Sequence, residues 1–244
     1  MSWSKYHHLI DYVPSWRLKG AAMRLLRPAR AQVIDQSRQM NHDLDMNVVP
    51  FFEHDCLFIH IPKTAGISLI DALFGQPMGL SHTRIRTYRM LLSDEEYRRF
   101  HKFCFVRNPY DRLYSAFSFL KTGGLTAEDA AWTANNLYPY ATFEQFVMEW
   151  LSEEAAHSYY HFQPQVGFTH IRGVNQMDFT GRFETLAEDY DTLRARLGTG
   201  AGLKRINVGE KRQAAWRELY TSAMLDRVGK IYARDFESFG YEIE

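Results

Sequence analysis

The chain has 244 residues, 45% hydrophobic and 24% charged, enough apolar sequence for one α/β domain with a large core. Its 29 Lys and Arg balance 29 Asp and Glu, so no global field marks a nucleic-acid partner. No apolar run approaches the roughly 20 residues that cross a bilayer, and charges interrupt the N-terminal stretch where a signal-peptide core would lie, so the default location is the cytoplasm.

Residues 1–50 carry no ligand-binding motif and read as an N-terminal helical extension to a domain over 51–244. Within it, Ser15 to Val33 is basic and mildly amphipathic, with Trp16, Leu18, Met23, Leu25 and Leu26 among Arg17, Lys19, Arg24, Arg27 and Arg30. Such a stretch suits peripheral contact with a membrane surface or an acidic polymer, or, more often, an ordinary helix packed on the domain and broken at Pro28. Cys56 to Ile61 is a buried strand by its apolar, β-forming content, and Ile67 to Phe74 is a helix closed by Gly75. Arg84 to Phe100 reads as helical, restarted at Ser93 with Glu96 as a capping box. Phe103 to Val106 is a second buried strand, and Pro109 opens a helix that runs to about Lys121 and ends at Gly123-Gly124. The two cysteines, Cys56 and Cys104, fall inside these strands, as packed thiols and not a disulfide framework.

Thr126 with Asp129 and Thr142 with Gln145 are two more capping boxes. Val166 to Ile171 and Met177 to Phe183 read as strands, Glu184 to Leu197 as a helix, and Trp216 to Phe239 as an interrupted helix. Strands alternating with helices predict an α/β fold: a single P-loop-like domain whose mostly parallel central sheet is flanked by helices. Between His82 and Lys121 nine Arg and Lys face four Asp and Glu, a local basic excess that suits an anionic ligand or a solvated surface.

Two strand-to-helix turns share a design. Cys56 to Ser68 and Phe103 to Ser115 each run from an apolar strand through a tight turn into a helix, and each sets a cation and a hydroxyl at the helix start. In the first, Pro62-Lys-Thr-Ala-Gly-Ile-Ser68, unpaired N–H groups and the helix dipole suit a phosphate. Small residues let the anion approach, Lys63 reaches over it, and Thr64 and Ser68 offer hydroxyls. The Walker pattern GxxxxGK[ST] is absent, since the lysine precedes the glycine, and no aspartate after a strand offers a magnesium site. In the second, Arg107 stands at a strand end with a fork suited to bidentate phosphate contact, and Ser115 lies about two helical turns on. Asp111 and Arg112 read as a structural ion pair that fixes the turn. Either loop alone would be an ordinary turn with an exposed lysine or a structural arginine. Together, on one sheet, they suit the two ends of a bis-phosphorylated nucleotide.

Phe58-Ile-His-Ile-Pro-Lys-Thr-Ala-Gly-Ile-Ser68 resembles the 5′-phosphosulfate-binding loop of sulfotransferases, and Phe105-Val-Arg-Asn-Pro-Tyr-Asp-Arg-Leu-Tyr-Ser115 resembles their 3′-phosphate-binding motif. The chain is most similar to the carbohydrate branch, which includes chondroitin, dermatan and heparan 2-O enzymes and bacterial relatives. Gly181-Arg-Phe-Glu-Thr-Leu-Ala-Glu-Asp-Tyr190, Arg205-Ile-Asn-Val-Gly-Glu-Lys-Arg212 and Asp235-Phe-Glu-Ser-Phe-Gly-Tyr241 extend the resemblance over about residues 54 to 241. It implies 3′-phosphoadenosine 5′-phosphosulfate (PAPS) as sulfuryl donor, no metal, and a carbohydrate or glycoconjugate acceptor. It implies that Lys63, Thr64, Ala65, Gly66, Ile67 and Ser68 cradle the 5′-phosphosulfate, that Arg107 and Ser115 hold the 3′-phosphate, and that the loop with Lys211 and Arg212 closes over the nucleotide. Without a membrane anchor the chain differs from Golgi members, which fits a bacterial cytoplasmic enzyme.

Direct in-line sulfuryl transfer needs a proton acceptor that titrates near neutrality, which suits histidine. His82 is the first candidate, because a histidine occupies a similar place before the Arg motif in the relatives. His161, in His161-Phe-Gln-Pro-Gln165, is the second, as base or acceptor-positioning group, and Arg84 is a further candidate acceptor contact. Lys63 would stabilise the departing phosphate. The rival expectations are a P-loop-type nucleotide kinase or hydrolase, which would use ATP with magnesium, and a non-catalytic nucleotide- or sulfated-glycan-binding protein.

Overall fold

In the computed structural model, which describes residues 15–40, 47–76, 78–203 and 216–244, two helices come first, α1 (Trp16–Leu26) and α2 (Pro28–Arg38). Ser15 caps α1 by accepting from the Leu18 amide, and Pro28, with no N–H to satisfy, restarts the chain as α2. Met23, Ala31 and Ile34 fix both helices to the apolar cluster around the sheet.

A short α3 (Val49–Glu53) leads into β1 (Cys56–Ile59), and α4 (Gly66–Phe74) follows, closed by Gly75 in the left-handed conformation. Next come α5 (Ile85–Leu91), α6 (Asp94–Arg99), β2 (His101–Val106) and α7 (Pro109–Lys121). α8 (Ala127–Asn136) precedes α9 (Phe143–Gln145), which loosens into a π-helical turn over Phe146–Trp150. After α10 (Glu153–Ser158) and α11 (Val166–Thr169), β3 (His170–Ile171) and β4 (Val174–Asn175) form a small antiparallel hairpin. β5 (Phe179–Arg182) and α12 (Leu186–Leu197) complete the sheet region, and α13 (Ser222–Ile231) and α14 (Ala233–Phe239) end the chain.

The main sheet has three parallel strands in the order β1-β2-β5, with Ile59 opposite Cys104 and Val106 opposite Arg182. β1 is buried at every residue and β2 at all but His101, which is why both read as continuous apolar runs. Helices flank this small parallel sheet. A second apolar cluster gathers Tyr110, Leu113 and Phe117 of α7 with Phe146, Phe162, Trp216 and Phe236. The two strand-to-helix turns leave neighbouring parallel strands on the same edge, as the sequence predicts.

Two expectations are corrected here. Of Val166–Ile171, expected as one strand, Val166–Thr169 is a short helix and only His170–Ile171 is extended, in β3. Asp235 accepts from the amides of Gln165 and Val166, at 2.8 and 2.9 Å, and so caps a helical turn there. The basic excess of residues 82–121 is largely spent within the fold. Arg89 holds Asp94, Arg99 holds Asp55, Lys102 holds Asp178, and buried Arg112 donates to the carbonyls of His161 and Gln163.

Candidate active site

β1 ends at Ile59, and the chain turns through His60 to Ala65 before α4 begins. Lys63 (φ 69°) and Ala65 (φ 65°) are left-handed, which costs a residue with a Cβ about 1–2 kcal/mol. α4 has no side-chain cap and no acidic residue in its first turn. Helices begun by Ser15, Ser93, Asn108, Thr126, Thr142, Ser152 and Thr221 are each closed by a side-chain oxygen. The first N–H groups of α4 are therefore left for another acceptor. They open on a cavity of about 890 Å³ whose lining includes Lys63, Ala65, Gly66, Ile67 and Ser68. Thr64 differs from its expected role. It is fully buried and its hydroxyl donates to the Ile61 carbonyl at 2.9 Å, so the side chain shapes the turn and faces away from the cavity. Gly66 is needed for a local reason as well, because a Cβ there would lie 2.0 Å from the His60 ring.

The opposite wall is aromatic. His82 lies 4.2 Å from the His60 ring, 5.0 Å from Tyr160 and 5.9 Å from His161, centroid to centroid. Its Nδ1 is 3.0 Å from the His60 carbonyl. A carbonyl only accepts, so Nδ1 donates, and the lone pair of the neutral ring falls on Nε2. His161 is the mirror case: its Nε2 donates to Asp129 Oδ1 at 3.2 Å, and its buried Nδ1 has no partner among the described residues. Burial above all lowers His82 to about 4 and His161 to about 3, so both rings are neutral at pH 7. Asp129 also accepts from the hydroxyls of Tyr159 and Tyr160 (2.5 and 2.9 Å) and the amides of Leu125 and Thr126 (3.0 and 3.2 Å). Burial alone would raise this carboxyl; the hydrogen bonds, from Tyr159 foremost, outweigh it and hold it well below the usual carboxylate range.

Lys63 reaches into the same space, its Nζ 3.7 Å from the centroid of the Phe119 ring. Burial and then the charge of Arg107 lower its pKa from 10.5 to about 8, against the pull of Asp129. Among the described residues, seven without glycine's freedom have positive φ, and four of them (Lys63, Ala65, Leu80 and His82) line this cavity. Strain of this kind collects where the surrounding structure holds a functional geometry.

Arg107 and Ser115 lie outside the cavity lining. Arg107 donates through Nε to Asp111 at 2.7 Å and through Nη1 to the Lys63 carbonyl at 3.2 Å, and its guanidinium lies 4.0 Å from the Phe183 ring. This corrects the expected Asp111–Arg112 pair: Asp111 serves Arg107, one helical turn back. The loop is braced from three sides. Asn108 caps α7, the Gln165 side chain exchanges two hydrogen bonds with the Arg107 backbone, and Glu184 accepts from the Asn108 amide. Ser115 sits half-buried on α7. Arg84 donates to the Gln163 side chain away from the cavity, and Lys211 and Arg212 lie outside the described residues. Sequence reasoning found Asp129 only as a helix cap and missed Phe119. Their roles arise from contacts between distant segments, for which the sequence carries no local signal.

A family model described as Sulfotransferase family matches residues 51–242. No curated protein and no solved structure matches the chain.

Proposed function

The chain belongs to the sulfotransferase family, and from that premise we propose that it moves a sulfuryl group from PAPS to a hydroxyl of a carbohydrate or glycoconjugate. The observation that carries this reading is the uncapped start of α4, which faces Lys63 and His82 in one cavity. In this P-loop-like arrangement the donor set suits a phosphosulfate: free first-turn amides, the Ser68 hydroxyl and a lysine beside them. PAPS, when bound, supplies the sulfuryl group and the 5′-phosphate leaving group for direct in-line transfer.

The chain's own residues have separate tasks. The α4 amides and Lys63 neutralise charge on the phosphate side, where one positioned donor is worth about 2.7–4 kcal/mol. His82 receives the acceptor's proton at Nε2, the atom its bond to the His60 carbonyl leaves free. An anion beside Lys63 favours the charged imidazole and moves its pKa back from about 4 toward neutrality. Arg107 keeps Nη2 without a partner among the described residues and, with Ser115, would hold the 3′-phosphate. His161 lies on the acceptor side.

The test is calorimetric titration with 3′-phosphoadenosine 5′-phosphate, alongside ATP and AMP. Tight, magnesium-independent binding of the bis-phosphate, weakened in Arg107→Ala, is the expected result. No binding, or equal binding of ATP with magnesium, would overturn the assignment.

A further inference from the structure

α1 is attached by an unusual face. Lys19, Gly20 and Met23 point inward, and Gly20 sits so close to α5 that an added Cβ would lie 2.6 Å from the Met90 carbonyl oxygen. The leucines are left outside: Leu18 is 57% exposed, Leu26 37%, and Leu25 84%, the highest among the large hydrophobics of the described residues. Leu18, Ala22 and Leu25 follow the helical repeat, so they form one stripe.

The stripe is embedded in positive charge. Residues 15–34 contain Arg17, Lys19, Arg24, Arg27 and Arg30 and no Asp or Glu. Beside α1 runs a groove of about 770 Å³ with Arg17, Arg24, Arg38, Arg89 and Arg98 in its walls against two acids, Asp94 and Glu95. Three of these are already held, Arg24 and Arg38 by Asp35, Arg38 also by Glu96, and Arg89 by Asp94. Exposed Arg17 and Arg98 face the same Asp94, which Arg89 occupies.

We propose that this face docks on an anionic lipid surface, with Leu18, Leu25 and Leu26 entering the headgroup–acyl boundary and Arg17 and Arg98 meeting lipid phosphates. Charge decides against a second copy of the chain, because a self-complementary contact would set two acid-free, arginine-rich helices against each other. Size decides against a stable protein partner. The stripe spans only about 10 Å of a helix roughly 10 Å wide, on the order of 100 Å², far short of the roughly 800 Å² per partner of a standard interface. A lipid surface needs neither shape complementarity nor such an area, and it rewards clustered Arg beside exposed Leu. α2 carries Arg30 to the wall of the large cavity, so the docking face lies one helix away from it.

The experiment is co-sedimentation of the full chain with vesicles of phosphatidylcholine, alone or mixed with phosphatidylglycerol. The expected result is binding to the anionic vesicles only, weakened by salt. Both Leu18→Glu/Leu25→Glu and Arg17→Glu/Arg98→Glu should lower the partition coefficient by roughly tenfold or more. All four positions are exposed, and unchanged circular dichroism melts would show that the variants fold. Absence of wild-type binding to anionic vesicles overturns the proposal, as does binding that survives the leucine pair. A dimer seen by light scattering that the leucine pair dissolves, without vesicle binding, would replace it with self-association.

Discussion

Replacing Lys63 with methionine should stabilise the protein while removing its turnover. In the fold the Lys63 pKa falls from 10.5 to about 8, chiefly through burial. At about 1.4 kcal/mol per unit, the ammonium costs the folded state on the order of 3 kcal/mol at pH 7. Its position over Phe119, 3.7 Å from the ring centroid, returns about 1 kcal/mol. Methionine keeps an unbranched stem in the same space and has no charge to desolvate. The net gain is about 1–2 kcal/mol, or roughly 2–8 °C in Tm for a chain of this length. Because the folded pKa lies below the unfolded one, the unfolded state binds more protons between about pH 8 and 10.5. Wild-type stability relative to the variant should therefore rise across that window and be flat below it. Scanning calorimetry at pH 7 and pH 9.5 measures both effects, and a sulfuryl-transfer assay should show a loss of roughly 10²–10³ in turnover. A lower Tm in Lys63→Met at pH 7 would refute the reasoning, since it would mean that the ammonium is held by its partners and not strained. Wild-type turnover in the variant would remove Lys63 from the mechanism.

Gly66→Ala should lower stability by about 1–3 kcal/mol, because its Cβ meets the His60 ring at 2.0 Å; an unchanged Tm would disprove that packing. Asp129→Asn replaces an oxygen that accepts from Tyr159, Tyr160 and His161 with a group that can carry only part of that load, at about 1–3 kcal/mol. The wild-type carboxyl is depressed below 3.8, so its contribution is full above that pH and fades as pH falls below it. Urea titrations of both proteins from pH 7 to pH 3 should show the gap closing, and a constant gap would contradict the ionised network. His82→Ala should leave bis-phosphate affinity intact and cut turnover by roughly 10²–10⁴; unchanged turnover would move the base elsewhere.

Local signals in the chain were legible because their physics is local. The capping boxes at Ser93–Glu96, Thr126–Asp129 and Thr142–Gln145 all form, since a cap and its partner lie three residues apart. The two loops come together as expected because β1 and β2 are parallel neighbours. What escaped depends on distance along the chain. The helical turn at Val166 is capped by Asp235, 69 residues away, so an apolar run that looks like a strand becomes a helix. Asp129 has the cap predicted for it, but Tyr159, Tyr160 and His161 arrive 30, 31 and 32 residues later and turn it into the anchor of the cavity wall. The Asp111–Arg112 expectation failed on geometry, because adjacent helix side chains diverge while i and i+4 meet.

Those distant contacts also show why the last third of the chain matters to two loops built in the first half. Tyr241 donates to Glu184 at 2.8 Å, and Glu184 accepts from the Asn108 amide at 2.7 Å. Asp235 holds the Gln165 backbone, and the Gln165 side chain brackets the Arg107 backbone at 3.0 and 2.9 Å. Arg107 then donates to the Lys63 carbonyl and completes a path from the C-terminal segment to the left-handed turn that opens α4. A turn carrying two strained residues would relax if left to its own sequence, since each of Lys63 and Ala65 gives up about 1–2 kcal/mol by staying left-handed. The braces supply the opposing energy through buried hydrogen bonds of about 1 kcal/mol each. Residues 182–184 and 235–241 therefore bear on the first loop without touching the cavity, which is the physical sense in which two loops and a C-terminal segment form one site.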